Sequence, residues 1–162
     1  TKLGLVSEAK YSIHGAQATG CSPISVAQKA GLDFFKRVKP NTIAKSLAIG
    51  TPADGFYALR VMKETGGAAD DVTDDEIREG IRLLAENEGI FAETAGGVTT
   101  AVAKKLIASG KIPANDSAVL CITGNGLKTL DAVVGHVGKT REIKPSLREF
   151  EAMLASEEKV NA

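Results

Sequence analysis

The run Ala118-Val-Leu-Cys-Ile-Thr-Gly-Asn-Gly-Leu-Lys128 most constrains what this chain can fold into. It is apolar and β-rich, and it stops abruptly at Thr123-Gly124-Asn125-Gly126, the pattern of a buried parallel strand. The carboxyl end of such a strand delivers a hydroxyl and flexible backbone, and in open α/β sheets ligands bind along that edge. Two other stretches of small residues keep it company: Glu93-Thr-Ala-Gly-Gly97, directly after the apolar Ile90-Phe-Ala92, and Gly15-Ala-Gln-Ala-Thr-Gly-Cys-Ser-Pro23 near the start.

Strand-like and helix-like segments alternate along the chain. The expected fold class is therefore α/β: three layers, with a mostly parallel sheet flanked by helices. Residues 11–17 are expected as a first strand, and Ser22 as the N-cap of a helix to about residue 31, with Pro23 at its first position. Residues 42–50 are strand or extended loop. Residues 54–64 have helical spacing, ended by Gly66-Gly67. Thr73-Asp-Asp-Glu76 is a capping box, and Ile77, Ile81, Leu84 and Ala85 follow as one buried stripe. Beyond Asn87-Glu-Gly89, residues 90–92 are expected as a short strand and 98–109 as a helix closed by Gly110. A strand at 118–122, a short helix at 127–134 and an amphipathic helix at 145–154 complete the pattern. Asp70-Asp71 and Asp74-Asp75 predict a solvated acidic turn.

Charge and length exclude several classes. Twenty basic and twenty acidic residues cancel, so there is no electrostatic footprint for nucleic acid. The 162 residues suffice for one domain with a sizeable core. No apolar run approaches the ~18 residues of a membrane span, and no signal-peptide pattern is present. Cys21 and Cys121, far apart in sequence, are expected as free thiols in a reducing compartment, which places the protein in the cytoplasm. The opening Thr1-Lys-Leu-Gly-Leu-Val6 lacks an initiator methionine, and a piece of something longer is expected.

Each candidate site residue has a structural and a chemical reading. Thr123 can cap the turn that follows it, or its hydroxyl can bond a ring nitrogen or phosphate while Gly124 and Gly126 let backbone approach closely. Glu93 can serve the dipole of a helix N-terminus, with Thr94 sharing that role, or place a carboxylate in the crevice beside Thr123. Ala18, Thr19 and Gly20 can make a tight strand-to-helix connection, or lie flat against a planar ligand. Other motifs fail on spacing. Gly124-Asn-Gly126 lacks the third glycine of a dinucleotide loop, with Thr129 in its place, and Gly135-His-Val-Gly-Lys-Thr140 has Val133 where a phosphate loop needs glycine. His14 and His136 have no partners at metal-ligand spacing, and the aspartate pairs lack calcium-loop spacing, so no metal site is expected.

Taken together these segments resemble the threonine synthase family, within the fold-type II pyridoxal-phosphate enzymes. Gly15-Ala-Gln-Ala-Thr-Gly-Cys-Ser-Pro23 is similar to the family's Gln-Ala-x-Gly-x-x-Pro segment, and Ile49-Gly-Thr-Pro-Ala53 to its Ile-Gly-x-Pro-Ala stretch. Glu88-Gly-Ile-Phe-Ala-Glu-Thr-Ala-Gly96 resembles Glu-Gly-(Ile/Val)-Phe-x-Glu-Pro-Ala-Ser, with Thr94 in place of proline and Gly96 in place of serine. Thr123-Gly-Asn-Gly-Leu-Lys128 matches the family's Thr-Gly-Asn/His-Gly-Leu-Lys motif, and the likeness runs over roughly residues 1–134.

The resemblance implies pyridoxal 5'-phosphate as cofactor, and a reaction that converts O-phospho-L-homoserine and water to L-threonine and phosphate. It implies that Thr123 bonds the pyridine nitrogen, that Glu93 lies near the cofactor, and that Ala18, Thr19, Gly20 and Gly124 border the ring or substrate. Family members hold the cofactor as a Schiff base on a lysine in a Ser/Phe-Lys-Asp-Arg type motif, and bind its phosphate in a glycine- and asparagine-rich loop, both in their N-terminal half. None of the fourteen lysines here has that context, so no catalytic residue is expected in this chain. Residues 1–144 are expected as the C-terminal part of the large cofactor domain and 145–162 as a helix and polar tail. The partner implied is the N-terminal half of the same enzyme. The chain alone is expected to be inactive, to hold the cofactor weakly, and to expose an apolar face that favours self-association or a homo-oligomer. Threonine dehydratase, which usually carries Ser-Gly-Gly-Asn at this strand end, and cysteate synthase are rivals within the fold. A standalone non-catalytic domain that binds a small ligand or a partner subunit is the rival outside it.

Overall fold

The computed structural model describes all residues except 1, 2, 6, 8, 9, 137, 139 and 159–162. The opening hexapeptide, the phosphate-loop-like stretch 135–140 and the polar tail thus lie partly outside the described residues. Strand β1 (Gly15–Ala18) pairs in parallel with β2 (Ala69–Val72), Gly15 opposite Ala69 and Ala18 opposite Val72. Side chains alternate across a strand, so each face of this pair is covered separately. On one face Ala69 packs with Ala27 of α1 (Pro23–Lys29) and with Leu59 and Met62 of α2 (Gly55–Thr65). On the other, Ala18 and Val72 pack with Ile77 and Ile81 of α3 (Asp74–Glu88) and with Val98 and Val102 of α4 (Thr94–Ala108). The fold is α/β, a parallel sheet with helices on both faces. Helix α5 (Leu147–Glu158) follows, and Leu147, Phe150 and Leu154 on it are exposed. Among the described residues no helix is long and apolar enough to cross a membrane.

The sheet is narrower than the alternating pattern predicts. Residues 118–122 form no strand and pair with none among the described residues, and Val119 is 92% exposed. A strand exists only where a neighbour takes up its N–H and C=O groups, and this segment has the composition of a strand without that neighbour. Residues 90–92 contribute a single antiparallel bridge, Ala92 to Asn125, in place of a strand. The first strand is shorter than the expected 11–17, and residues 42–50 hold only a 3-10 turn at Lys45–Leu47. The expected helix at 127–134 is instead a 3-10 segment over Gly126–Ala132, broken at Thr129 (φ −135°, ψ 41°).

Asp70 and Asp71 form strand β2 and not a turn. Lys29 makes the charges tolerable there: its Nζ lies 2.5 Å from Asp70 Oδ1 and 2.9 Å from Asp71 Oδ2. Burial pushes the Asp70 carboxyl up, but the Lys29 ammonium, the Asp71 N–H and Lys105 together hold it below the usual range. Asp74 and Asp75 sit in the first turn of α3, where negative charge suits the helix dipole.

Two helix starts follow different devices. At α3 the capping box is present, Thr73 accepting from Glu76 N–H and Glu76 accepting from Thr73 N–H at 2.8 Å. At α1 Ser22 occupies the N-cap position and Pro23 the first helical position, yet the Ser22 side chain caps nothing. Gln17 supplies the acceptor from β1: its Oε1 takes the N–H groups of Ile24 and Ser25, both at 2.9 Å. Helix α4 begins four residues before the expected 98, because Gly96 and Gly97 are interior packing positions and not a turn. A Cβ on Gly80 would lie 2.3 Å from Gly97 O, and one on Gly97 would lie 2.5 Å from Ile77 O. Helices α3 and α4 therefore cross with backbone against backbone.

Candidate functional site

Two tips of chain are stitched together at the start of α4. The Glu93 N–H donates to Gly124 O at 2.9 Å, and the Gly126 N–H donates to Phe91 O at 2.9 Å. Asn125 Oδ1 accepts from the Leu127 N–H at 2.9 Å and so caps the 3-10 segment. Gly126 is needed for this approach, since a Cβ there would lie 2.6 Å from the Phe91 ring.

Glu93 is the charged residue at this junction, and its side chain is only 6% exposed. A Cβ on Gly124 would stand 2.0 Å from Glu93 Oε1 and 2.2 Å from its Cδ, so the carboxylate lies directly against the Gly124 backbone. Its other oxygen, Oε2, is 3.0 Å from Lys128 Nζ, whose side chain is 64% exposed. Glu93 holds the N-cap position of α4 without capping it. Thr94 does not share the capping role: its N–H donates to Thr129 Oγ1 at 3.3 Å, and its own hydroxyl is buried without a hydrogen-bond partner. Thr123 is exposed beside Gly124. The fold thus brings Glu93, Thr123 and Gly124 to one edge.

The third tip, Ala18-Thr19-Gly20, leaves the carboxyl end of β1. Ala18 is fully buried in the apolar cluster that also contains Val98 and against which Phe91 packs, which ties this tip to the other two through the core. The Thr19 hydroxyl donates to Asp71 Oδ1 at 2.8 Å, and the Thr19 N–H donates to Val72 O at 2.8 Å. Gly20 lies against Asn41, whose carbonyl oxygen would be 1.7 Å from a Cβ at position 20. What this tip offers outward is backbone, because the Thr19 hydroxyl is engaged with Asp71. Among the described residues no hydrogen bond or ion pair joins it to Glu93, Thr123 or Gly124. Nearby Cys21 is a buried free thiol, pushed up by burial against a backbone hydrogen bond at Ile49. Among the described residues no cluster of metal-ligating side chains exists.

Lys128 and Asp71 are participants that sequence reasoning missed. A buried carboxylate needs a cation, which is a usable signal, but the pairing of Glu93 with a lysine 35 positions on follows only from the folded junction.

A hydroxyl, a carboxylate and glycine backbone thus meet at one edge of the fold. Residues 4–124 match the model of the pyridoxal-phosphate dependent enzyme family. The chain belongs to that family. It is similar to the threonine synthase of Methanocaldococcus jannaschii, 41% identical over 121 residues, which are 74% of this chain and 30% of that protein. The threonine synthase of Halalkalibacterium halodurans is 39% identical over 108 residues, 67% of this chain and 30% of that protein. The chain thus spans about a third of the length of the curated relatives it matches. Among solved structures, a fungal L-serine ammonia-lyase from Rhizomucor miehei superposes with a TM-score of 0.55 at 20% identity, over 80% of this chain and 42% of that one. That likeness shows the fold.

Proposed function

We propose that this chain is the C-terminal portion of a threonine synthase, which in its intact form converts O-phospho-L-homoserine and water to L-threonine and phosphate. The observation that carries the reading is the junction at Gly124, where the exposed Thr123 of Thr123-Gly-Asn-Gly-Leu-Lys128 and the buried, cation-matched carboxylate of Glu93 share one edge. The similarity to threonine synthases supports it.

This donor set fits the ring end of pyridoxal phosphate. Thr123 would hold the pyridine nitrogen, Gly124 would present backbone without a Cβ, and Ala18-Thr19-Gly20 would border the ring or substrate. A neutral hydroxyl at the nitrogen does not favour ring protonation, and so moderates the ring's electron-withdrawing power. Glu93 adds a carboxylate against the Gly124 backbone, matched by Lys128. When bound, the cofactor supplies an electron sink for the α and β carbons, which lets the γ-phosphate leave and water add at the β carbon. The lysine that anchors the cofactor and the loop that binds its phosphate belong, in this reading, to the N-terminal half of the same enzyme. This chain by itself is inactive and works in the cytoplasm as part of the whole.

The test is phosphate release from O-phospho-L-homoserine by the intact gene product, with threonine as co-product. Thr123→Val is expected to lower turnover by about tenfold, the worth of one hydrogen bond. Ammonia release from threonine without phosphate release would replace the reading by a dehydratase, and a protein that takes up no pyridoxal phosphate would refute it.

A further inference from the structure

Lys128 closes the site motif, and its ammonium makes the one ion pair recorded for the Glu93 carboxylate among the described residues. The two partners are unequal. Glu93 is almost wholly buried and Lys128 is mostly exposed, so losing the lysine would strand a charge that water reaches poorly. The carboxylate is also confined on its other side by the Gly124 backbone, and the Glu93 N–H is tied to Gly124 O. The carboxylate is thus held between the Gly124 backbone and the Lys128 ammonium, and of these two only Lys128 is an exposed side chain.

We propose that Lys128 is a positioning residue: it pins the Glu93 carboxylate across Gly124 and so fixes the charge that the Thr123 hydroxyl and the cofactor ring experience. This rests on the cofactor reading of the site. Charge placed near a cofactor ring tunes its electronics, so the consequence is spectroscopic as well as energetic.

The experiment uses the intact gene product and the variants K128Q, E93Q, their double and K128R. Pyridoxal phosphate affinity and the absorption maximum of the bound cofactor are measured, and the backbone amide resonances of Thr123 and Gly124 are followed in the cofactor-free protein. K128Q and E93Q are each expected to weaken binding and shift the absorption maximum, with the double variant no worse than either single and K128R restoring both. The coupling between the two positions is expected at roughly 2- to 100-fold in affinity. A K128Q protein that melts earlier but keeps the wild-type absorption maximum and affinity overturns the proposal, as does a double variant whose losses simply multiply. The amides separate the two levels of inference. Thr123 and Gly124 resonances unmoved by K128Q overturn the positioning role whether or not cofactor is taken up. Resonances that move in a protein that takes up no cofactor uphold the pinning of Glu93 and refute only the cofactor reading.

Discussion

Substituting the two site glycines by alanine separates a rigid obstacle from a yielding one. At Gly20 the added Cβ would stand 1.7 Å from Asn41 O and 2.6 Å from Asn41 C, both backbone, while the Asn41 N–H donates to Gly20 O at 2.9 Å. Nothing there can rotate away, so the loop at 41–42 must part from the tip of β1. At Gly124 the nearest atoms are the end of the Glu93 side chain, at 2.0 and 2.2 Å, which can swing at the expense of its contact with Lys128. Overpacking costs about 1–3 kcal/mol. Gly20→Ala belongs at or above the upper end, about 3 kcal/mol, and Gly124→Ala near the lower, about 1 kcal/mol. Urea unfolding followed by circular dichroism measures the difference on the intact gene product. Equal losses for the two variants, or a Gly20→Ala protein within about 0.5 kcal/mol of wild type, would refute the reasoning, because the distinction between backbone and side-chain obstacles would then decide nothing.

Gln17→Ala removes the acceptor shared by Ile24 and Ser25 and should cost about 1 kcal/mol by denaturant unfolding, as the loss of an N-cap does; Ser22→Ala should cost clearly less, since its hydroxyl makes no cap bond. Ile81→Ala, at the centre of the α3–α4 cluster, should cost about 2–5 kcal/mol. Acidification tests Asp70. Its carboxyl is depressed in the folded state, so its contribution is present above the unfolded value of about 3.9 and is lost as pH falls through the folded value. Below about pH 4 the wild type should therefore lose stability more steeply than Asp70→Asn, and parallel pH profiles would show that the Lys29 pair is inert.

What the sequence discloses about this fold depends on whether the relevant contact is local. The capping box at Thr73 and Glu76, the stripe through Ile77 and Ile81, and the left-handed glycines that end α2 and α3 are written within one or two helical turns, and all are legible. Strand β2 is not, because Asp70 and Asp71 look like a turn until Lys29 of α1 is placed beside them. Residues 118–122 mislead in the opposite sense: their composition is that of a strand, and composition cannot supply the neighbour that makes one. The site divides the same way. Two separate motifs single out Thr123 with Gly124, and Glu93, whereas the grip of Lys128 on Glu93 and of Asp71 on Thr19 spans 35 and 52 positions and exists only after folding.

The glycine crossing of α3 and α4 has a further consequence for how this site can vary. Where side chains separate two helices, their distance can be adjusted in either direction by exchanging larger residues for smaller ones. At Gly80 and Gly97 nothing remains to be removed, so every exchange is an insertion and displaces α4 in one direction only, outward. Glu93 lies one turn upstream of Gly97, about 6 Å along the helix axis, and so inherits most of any such displacement. The crossing acts as a mechanical stop: it limits the play of the carboxylate on the side of α3, and the accuracy of the edge at Gly124 is set one helical turn away from the site itself.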